Sequence, residues 1–430
     1  MKRTLRKVKG ITLIALIVTV IVLIILAGVS ISLVLGENGI ITIAKRAKEN
    51  TELAKVEEET RLNELAKQLE EGTSGGTTNP PETIKTVEEV KGGDYFNKPT
   101  TIKDSNGNLI KVPEGFKVAE DSGINVTEGI VIEDNDIIDG IGNNRGNQYV
   151  WIPVGKEIKK SDGTKVNITL GRYTFANGTS DKDSNGKVLT KGTPILRQNA
   201  DNYTQEVVIS SYFKELTTYR EGVASSGLDG LNTTSRGKQK EDGTYEGIKS
   251  FIDSVKANGG YYIARYEASY GTDGKANSKI SNSFINTSGT APTTEGTLWN
   301  NITQIDAATA SRELYNTATT DLVNSYAWDT AIVYIQNFSE DTDYSYQNSK
   351  NTTLSNTGVN KDEVCKINDM ASNNLEWTTE YATFTDSYGA YPCVRRGGYY
   401  DDRNYWVNGR SDNMATHRYK YITFRSTIYM

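Results

Sequence analysis

The chain closes with Arg395–Met430, RRGGYYDDRNYWVNGRSDNMATHRYKYITFRSTIYM, and the reading of the whole sequence turns on this stretch. Gly397 and Gly398 open it, and the strand-like run Tyr421–Tyr429 closes it. Between them Tyr, Asp, Asn, Arg, Ser and His are packed without the alternation of a half-buried strand or the 3.6-residue period of a helix. The interior therefore reads as a surface fixed at its two ends.

Its composition is that of a paratope. Tyrosine supplies rigid amphipathic contact area at low entropy cost, while Asn and Ser supply adaptable hydrogen bonding. The candidate ligand-binding residues are Tyr399, Tyr400, Asp401, Asp402, Arg403, Asn404, Tyr405, Asn408, Arg410, Ser411, Asp412, Asn413, His417 and Tyr419. The competing reading is a polar connection between two strands, where exposed polar residues are expected.

Three stretches precede this one, Tyr149–Val154 (YVWIPV), Gly260–Ser269 (GYYIARYEAS) and Asn373–Glu380 (NNLEWTTE), and two follow in order at its start and near its end, Val394–Gly398 (VRRGG) and Ile422–Arg425 (ITFR). Together they resemble the formylglycine-generating enzyme (sulfatase-modifying factor) family, and within it the variable proteins of diversity-generating retroelements. The resemblance implies a C-type-lectin-type fold of the α+β class. It also implies a C-terminal segment diversified by adenine-directed mutagenesis, which yields the residue types that fill Tyr399–Tyr421. Thr423-Phe424-Arg425 stands where the family has Gly-Phe-Arg. The enzymes of the family use reactive C-terminal cysteines, whereas this chain has only Cys365 and Cys393, both upstream of the variable-looking interval, and one histidine. The fold carries over and the chemistry does not, so no catalytic residue, metal ligand or cofactor is expected. Calcium is the one ion that the acidic and amide oxygens would suit.

Residues 1–10 form a basic leader, with Lys2, Arg3, Arg6, Lys7 and Lys9, and residues 11–35 form an uncharged apolar run. At about 1.5 Å per residue such a run reaches roughly 38 Å, enough for a transmembrane helix with a cytoplasmic N-terminus and the remainder outside the cell. A cleaved secretory signal is the competing reading, although its apolar core is usually shorter. The leader is also similar to a type IV prepilin, in which a prepilin peptidase would cut between Gly10 and Ile11. Ala15 occupies the position where pilins usually carry Glu, which weakens the case for polymerisation.

Residues 36–71 read as a charged stalk helix, and residues 72–82, GTSGGTTNPPE, as a flexible linker. The C-type-lectin-type domain then spans residues 83–430, with the variable-looking segment at 395–430. Asn-Gly and Asp-Gly pairs at Asn106-Gly107, Asp162-Gly163 and Asn185-Gly186 predict hairpin turns. Helices are expected over Ile248–Ala257, Asp306–Tyr315 and Ala327–Phe338, mixed with short strands such as Gln148–Val154. Outside the cell, Cys365 and Cys393 would form a disulfide stabilising by roughly 3 to 4 kcal/mol; the alternative is two thiols whose geometry never brings them together. Trp151, Trp299, Trp328 and Trp377 read as packing residues, and Trp406 as either packing or contact surface.

The net charge of −6 gives no basic field for nucleic acid. Adjacent acids at Glu133-Asp134 and Asp401-Asp402 would point to opposite faces of a strand, which suits solvated charge better than an acid–base pair. Two functional readings follow. One is a surface-anchored, non-catalytic adhesin or receptor-like protein whose C-terminal segment contacts a macromolecular ligand, protein or glycan. The other is a structural pilin-like subunit of a surface filament.

Overall fold

In a computed structural model of the chain the described residues are 83–137, 145–202, 216–217, 238–241, 246–280, 285–348, 353–359, 362–382, 384–387 and 389–430. The leader, transmembrane helix, stalk and linker expected over residues 1–82, with Gly10 and Ile11, lie outside them. No helix among the described residues is long and apolar enough to cross a membrane.

The strands of the two larger sheets are, in chain order, β1 (Lys117–Val118), β2 (Val131–Glu133), β3 (Gln148–Pro153), β4 (Leu216–Thr217), β5 (Gly260–Ala264), β6 (Thr319–Leu322), β7 (Leu375–Ala382), β8 (Cys393–Arg396), β9 (Arg410–Asn413), β10 (Ile422–Phe424) and β11 (Ser426–Tyr429). A six-stranded antiparallel sheet has the order β6-β11-β5-β3-β2-β1. A five-stranded sheet has the order β4-β7-β8-β9, and β10 joins it by pairing parallel to β7. Both sheets thus take a strand from the last few residues of the chain.

Four helices accompany them among the described residues: α1 (Val87–Val90), α2 (Ile248–Asn258), α3 (Gln304–Ala310) and α4 (Ser325–Phe338). The apolar stripe Ile248, Phe251, Ile252 and Val255 is buried as its spacing requires. Gly259 ends α2 in the left-handed region, φ 75°, and its N–H bonds the Val255 carbonyl. In α3 the helix begins and ends earlier than its composition predicts. Thr303 caps it by accepting the Asp306 N–H at 3.1 Å, and Ser311 Oγ turns back on the Ala307 carbonyl. Glu313 then leaves in the left-handed region at φ 55°. Helix α4, capped by Asn324, is buried on nearly every side because it meets strands of both sheets.

The domain is β-rich, with few helices. The predicted turns hold: residues 104–108 join the hairpin of Thr100–Lys103 and Leu109–Val112, and residues 160–164 join Gly155–Lys159 to Lys165–Ile168. Two apolar cores result. The larger joins the six-stranded sheet to α2 and α4. The smaller gathers Trp299, Ile302, Leu375, Trp377, Ile422 and Phe424 around the five-stranded sheet.

The expected Cys365–Cys393 disulfide is not formed. Cys365 packs on the larger core in a left-handed turn, φ 48°, whereas Cys393 is buried in the smaller core on β8. Burial pushes the Cys365 thiol up to about 12, away from the thiolate that oxidation needs.

Candidate ligand-binding surface

The closing run, expected as a single strand, is two. Strand β10 belongs to one sheet and β11 to the other, and Arg425 stands at the crossing. Its guanidinium is fully buried, donating from Nε to Glu376 Oε2 at 2.6 Å and from Nη2 to Glu376 Oε1. Nη1 reaches the Ala264 carbonyl at 3.0 Å and Nη2 the Asn368 carbonyl at 2.9 Å. One side chain therefore ties β10, β7, β5 and the loop before β7. Thr423 is buried and donates from Oγ1 to the Trp299 carbonyl at 3.0 Å.

A second set of buried arginines holds the other end of the segment. Arg396, beside Gly397, donates to Asp329 at 2.6 Å and to Glu380 at 3.1 Å. Arg410 donates to the same Glu380 at 3.0 Å and to Asp329, and Arg172 donates to Glu380 at 3.2 Å. Burial alone would raise Glu380, but Arg410, Arg396 and Arg172 together hold it at about 2. Arg410 is thus not the ligand residue its neighbours suggested. Its side chain is 5% exposed and secures the segment from inside.

Arg410–Asn413 is also the strand that the polar composition concealed. It pairs with β8 from Cys393↔Asn413 to Arg396↔Arg410. Asn413 is consequently buried, and Ser411 Oγ accepts from Arg395 Nε and Nη2 at 3.2 Å. Asp412 and Asn408 are half-buried, and the Asn408 N–H donates to the Ser345 carbonyl at 3.0 Å. These positions support the surface more than they form it.

The remaining candidates do share a surface. Tyr399, Tyr405, Tyr419 and Tyr421 are half-buried and pack on the smaller core. Tyr419 and Tyr421 stack at 5.0 Å with an interplanar angle of 6°, and Tyr421 continues to Tyr399 at 5.2 Å. Tyr399 meets Tyr405 and Tyr400 edge to face at 5.5 Å, and His417 meets Tyr419 at 5.2 Å. The Arg395 guanidinium lies over Tyr421 at 5.7 Å and over Tyr405 at 6.0 Å. Partial burial and Asp401 raise the Tyr399 and Tyr400 phenols, while partial burial and Arg395 lower His417. Asp401, Arg403 and Asn404 are exposed, and Asp402 Oδ1 is used in accepting from Asn404.

Tyr421 and Arg395 were not among the sequence candidates and belong to this surface. Tyr421 was hidden by its place at the head of a strand; the i, i+2 spacing from Tyr419, which puts two side chains on one face, was the available signal. Trp406 is 40% exposed and contacts Tyr346 at 5.8 Å, whereas the other four tryptophans are buried.

The adjacent acids divide. Asp134 accepts from the Asn147 N–H at 2.7 Å and from Tyr315 at 2.6 Å, and Glu133 from Gln148 at 2.8 Å, so both serve structure. A separate acidic group, buried Glu267, Asp369 and Glu376 with half-buried Asp362, faces the guanidinium of Arg425. Burial, and then Asp362, push Asp369 up to about 7. Among the described residues no group of three or more His, Cys, Asp or Glu is arranged to hold a metal ion.

Comparison with protein-family profiles and with curated protein sequences found no match. Among solved structures, the chain is similar to Treponema denticola variable protein 1, at 12% identity and a TM-score of 0.23, over 66% of this chain and 96% of that one. It is also similar to the crystal structure of CarF, at 13% identity and a TM-score of 0.27, over 40% of this chain and 87% of that one.

Proposed function

We propose that this chain is a non-catalytic, surface-displayed binding protein whose segment Tyr399–Tyr421 forms a diversified ligand surface on a C-type-lectin-type domain. The observation that carries this reading is the half-buried row of tyrosines, with exposed Asp401, Arg403 and Asn404 among them, held by two sets of buried arginines. Arg396 fixes the start of the segment, Arg410 its middle and Arg425 the strand that follows it, so the exposed side chains Asp401, Arg403 and Asn404 can change without disturbing either core. That arrangement suits an adhesin or receptor-like molecule displayed outside the cell on the apolar N-terminal run.

Two measurements test it. Sequencing the encoding locus through a growing population should find substitutions confined to codons 399–421 and matched to adenines in a template repeat; substitutions spread evenly along the gene would sink diversification. Proteins selected from a displayed library for binding the full chain should lose affinity when Tyr399, Tyr400, Tyr405 and Tyr419 become Phe. That change keeps the rings on the smaller core and removes only hydroxyls, so unchanged binding would place the ligand elsewhere.

A further inference from the structure

We infer that the tyrosine surface takes an acidic segment of polypeptide, a conclusion that rests on the proposed function and narrows it to one ligand class. The first argument is the direction of the rings. Tyr419 and Tyr421 are nearly parallel and stacked, Tyr421 passes to Tyr399, and Arg395 covers Tyr421 and Tyr405. Faces of Tyr419, Tyr421 and Tyr399 are therefore turned toward one another and those of Tyr421 and Tyr405 toward a guanidinium, while Tyr400 and Tyr405 meet Tyr399 edge to face. A pyranose ring or a nucleobase binds an aromatic side chain through an open face. Here a ligand arriving from solvent meets ring edges and phenol hydroxyls.

Ring edges carry the positive part of the aromatic quadrupole. Among the described residues the hydroxyls of Tyr399, Tyr400, Tyr405 and Tyr421 make no hydrogen bond within the protein, so all four remain able to donate. An anionic, acceptor-rich partner satisfies both features. A carboxylate can take a hydroxyl proton donor and lie against a ring edge at once.

The charges around the row agree. Arg403, Arg418 and Lys420 are exposed and, among the described residues, make no ion pair. They flank Tyr405 and Tyr419 in the chain, and on a protein whose net charge is −6 such unpaired cations beside the row offer complementarity to acids. Asp401 and Asp402 lie at one end of the row. Asp402 is engaged by Asn404, which leaves Asp401 as the acid most open to solvent there.

The test measures binding of a fluorescein-labelled oligo-glutamate peptide to the full chain by anisotropy, beside a neutral chitin oligosaccharide and an oligothymidylate. Saturable oligo-glutamate binding that weakens with salt is expected. The charge-reversed variant Arg403→Glu/Arg418→Glu/Lys420→Glu should weaken it at least about tenfold, the sum of three modest rim interactions. The variant with Phe at Tyr399, Tyr400, Tyr405 and Tyr421 should weaken it as well, and both variants should keep the thermal midpoint of the parent. Oligosaccharide or oligothymidylate binding that the Phe variant loses, with none for oligo-glutamate, would overturn the acidic class and leave the binding surface standing. Oligo-glutamate binding equal in parent and both variants would overturn the proposal and the surface together. Absence of binding to all three probes would overturn the proposal.

Discussion

The three arginines that frame the C-terminal segment show how one residue type serves two purposes within a few positions of sequence. Arg403 and Arg418 face water, whereas Arg396, Arg410 and Arg425 are buried against carboxylates. Composition could not separate them, because a guanidinium is equally at home in a paratope and in a buried fork against a carboxylate. Removing one member of a buried pair leaves the other charge without compensation, typically about 3 to 5 kcal/mol of stability. Arg425→Ala should therefore lower the urea-unfolding free energy by about that amount. Arg425→Lys should recover little of it, since an ammonium cannot hold both oxygens of Glu376 and two carbonyls. Arg410→Ala should act in the same way, and a variant of native stability with reduced ligand affinity would return Arg410 to the list of contact residues. Asp369 makes a prediction of opposite sign. Its folded value, raised to about 7 from an ordinary 3.8, means that the folded state holds a proton the unfolded chain releases earlier. Stability from this group is fully present below the unfolded value and is lost as pH rises toward 7. Glu380, held at about 2, acts the other way, but its contribution is lost only as pH falls below its ordinary value of 4.5. The unfolding free energy should consequently be higher at pH 5 than at pH 8, by roughly 2 to 3 kcal/mol from Asp369 alone. Asp369→Asn should flatten that slope, and an unchanged slope would assign it to other groups.

At the scale of elements, the segment is launched by a glycine pair and held from beneath by a helix. Gly397 has φ 90°, where side chains are strained, and a Cβ on Gly398 would lie 2.2 Å from the Ala371 carbonyl oxygen. Trp328 of α4 donates its indole N–H to the Val407 carbonyl at 3.0 Å, which fixes the middle of the segment to the larger core. Gly398→Ala should cost about 1 to 3 kcal/mol, the usual range for forcing atoms into a packed site. Near-ultraviolet circular dichroism should also change, because Tyr399 and Tyr400 follow directly. A variant as stable as the parent would mean that the strand end shifts freely. The sequence foretold this region unevenly. Gly397-Gly398 and the strand-rich closing run could be read from residue types, as could α2 from its apolar stripe and the hairpins from their Asn-Gly and Asp-Gly turns. Strand β9 could not, since Arg-Ser-Asp-Asn has no apolar alternation, and its pairing with β8 is supplied by backbone bonds and buried ions. The disulfide expectation failed for a related reason: two cysteines on either side of Trp377 say nothing about which of two cores each one enters.

Across the whole molecule, the decisive feature is that the last strands of the chain complete both sheets. Strand β11 lies inside the six-stranded sheet, bonded to β6 on one side and β5 on the other, while β10 lies beside β7. The tyrosine row is therefore carried between elements that the last strands, β10 and β11, complete. Five ordered motifs spread along the sequence each fall on a strand or a buried ion pair: Tyr149–Val154 on β3, Gly260–Ala264 on β5, Glu376 at Arg425, Arg396 at Asp329, and Phe424 in the smaller core. Their convergence on one crossing point is a property of topology that no local pattern displays. It also makes folding cooperative across the two cores, since losing β11 leaves the edge strand β6 without its partner in the sheet, makes β5 an edge and removes Ile428 and Tyr429 from the larger core. Deleting residues 426–430 should accordingly abolish the whole cooperative transition, with loss of near-ultraviolet dichroism and binding of a hydrophobic dye. Retention of a sharp transition at reduced midpoint would show instead that the five-stranded sheet folds on its own, and the segment it carries would then be an independent unit grafted onto the larger core.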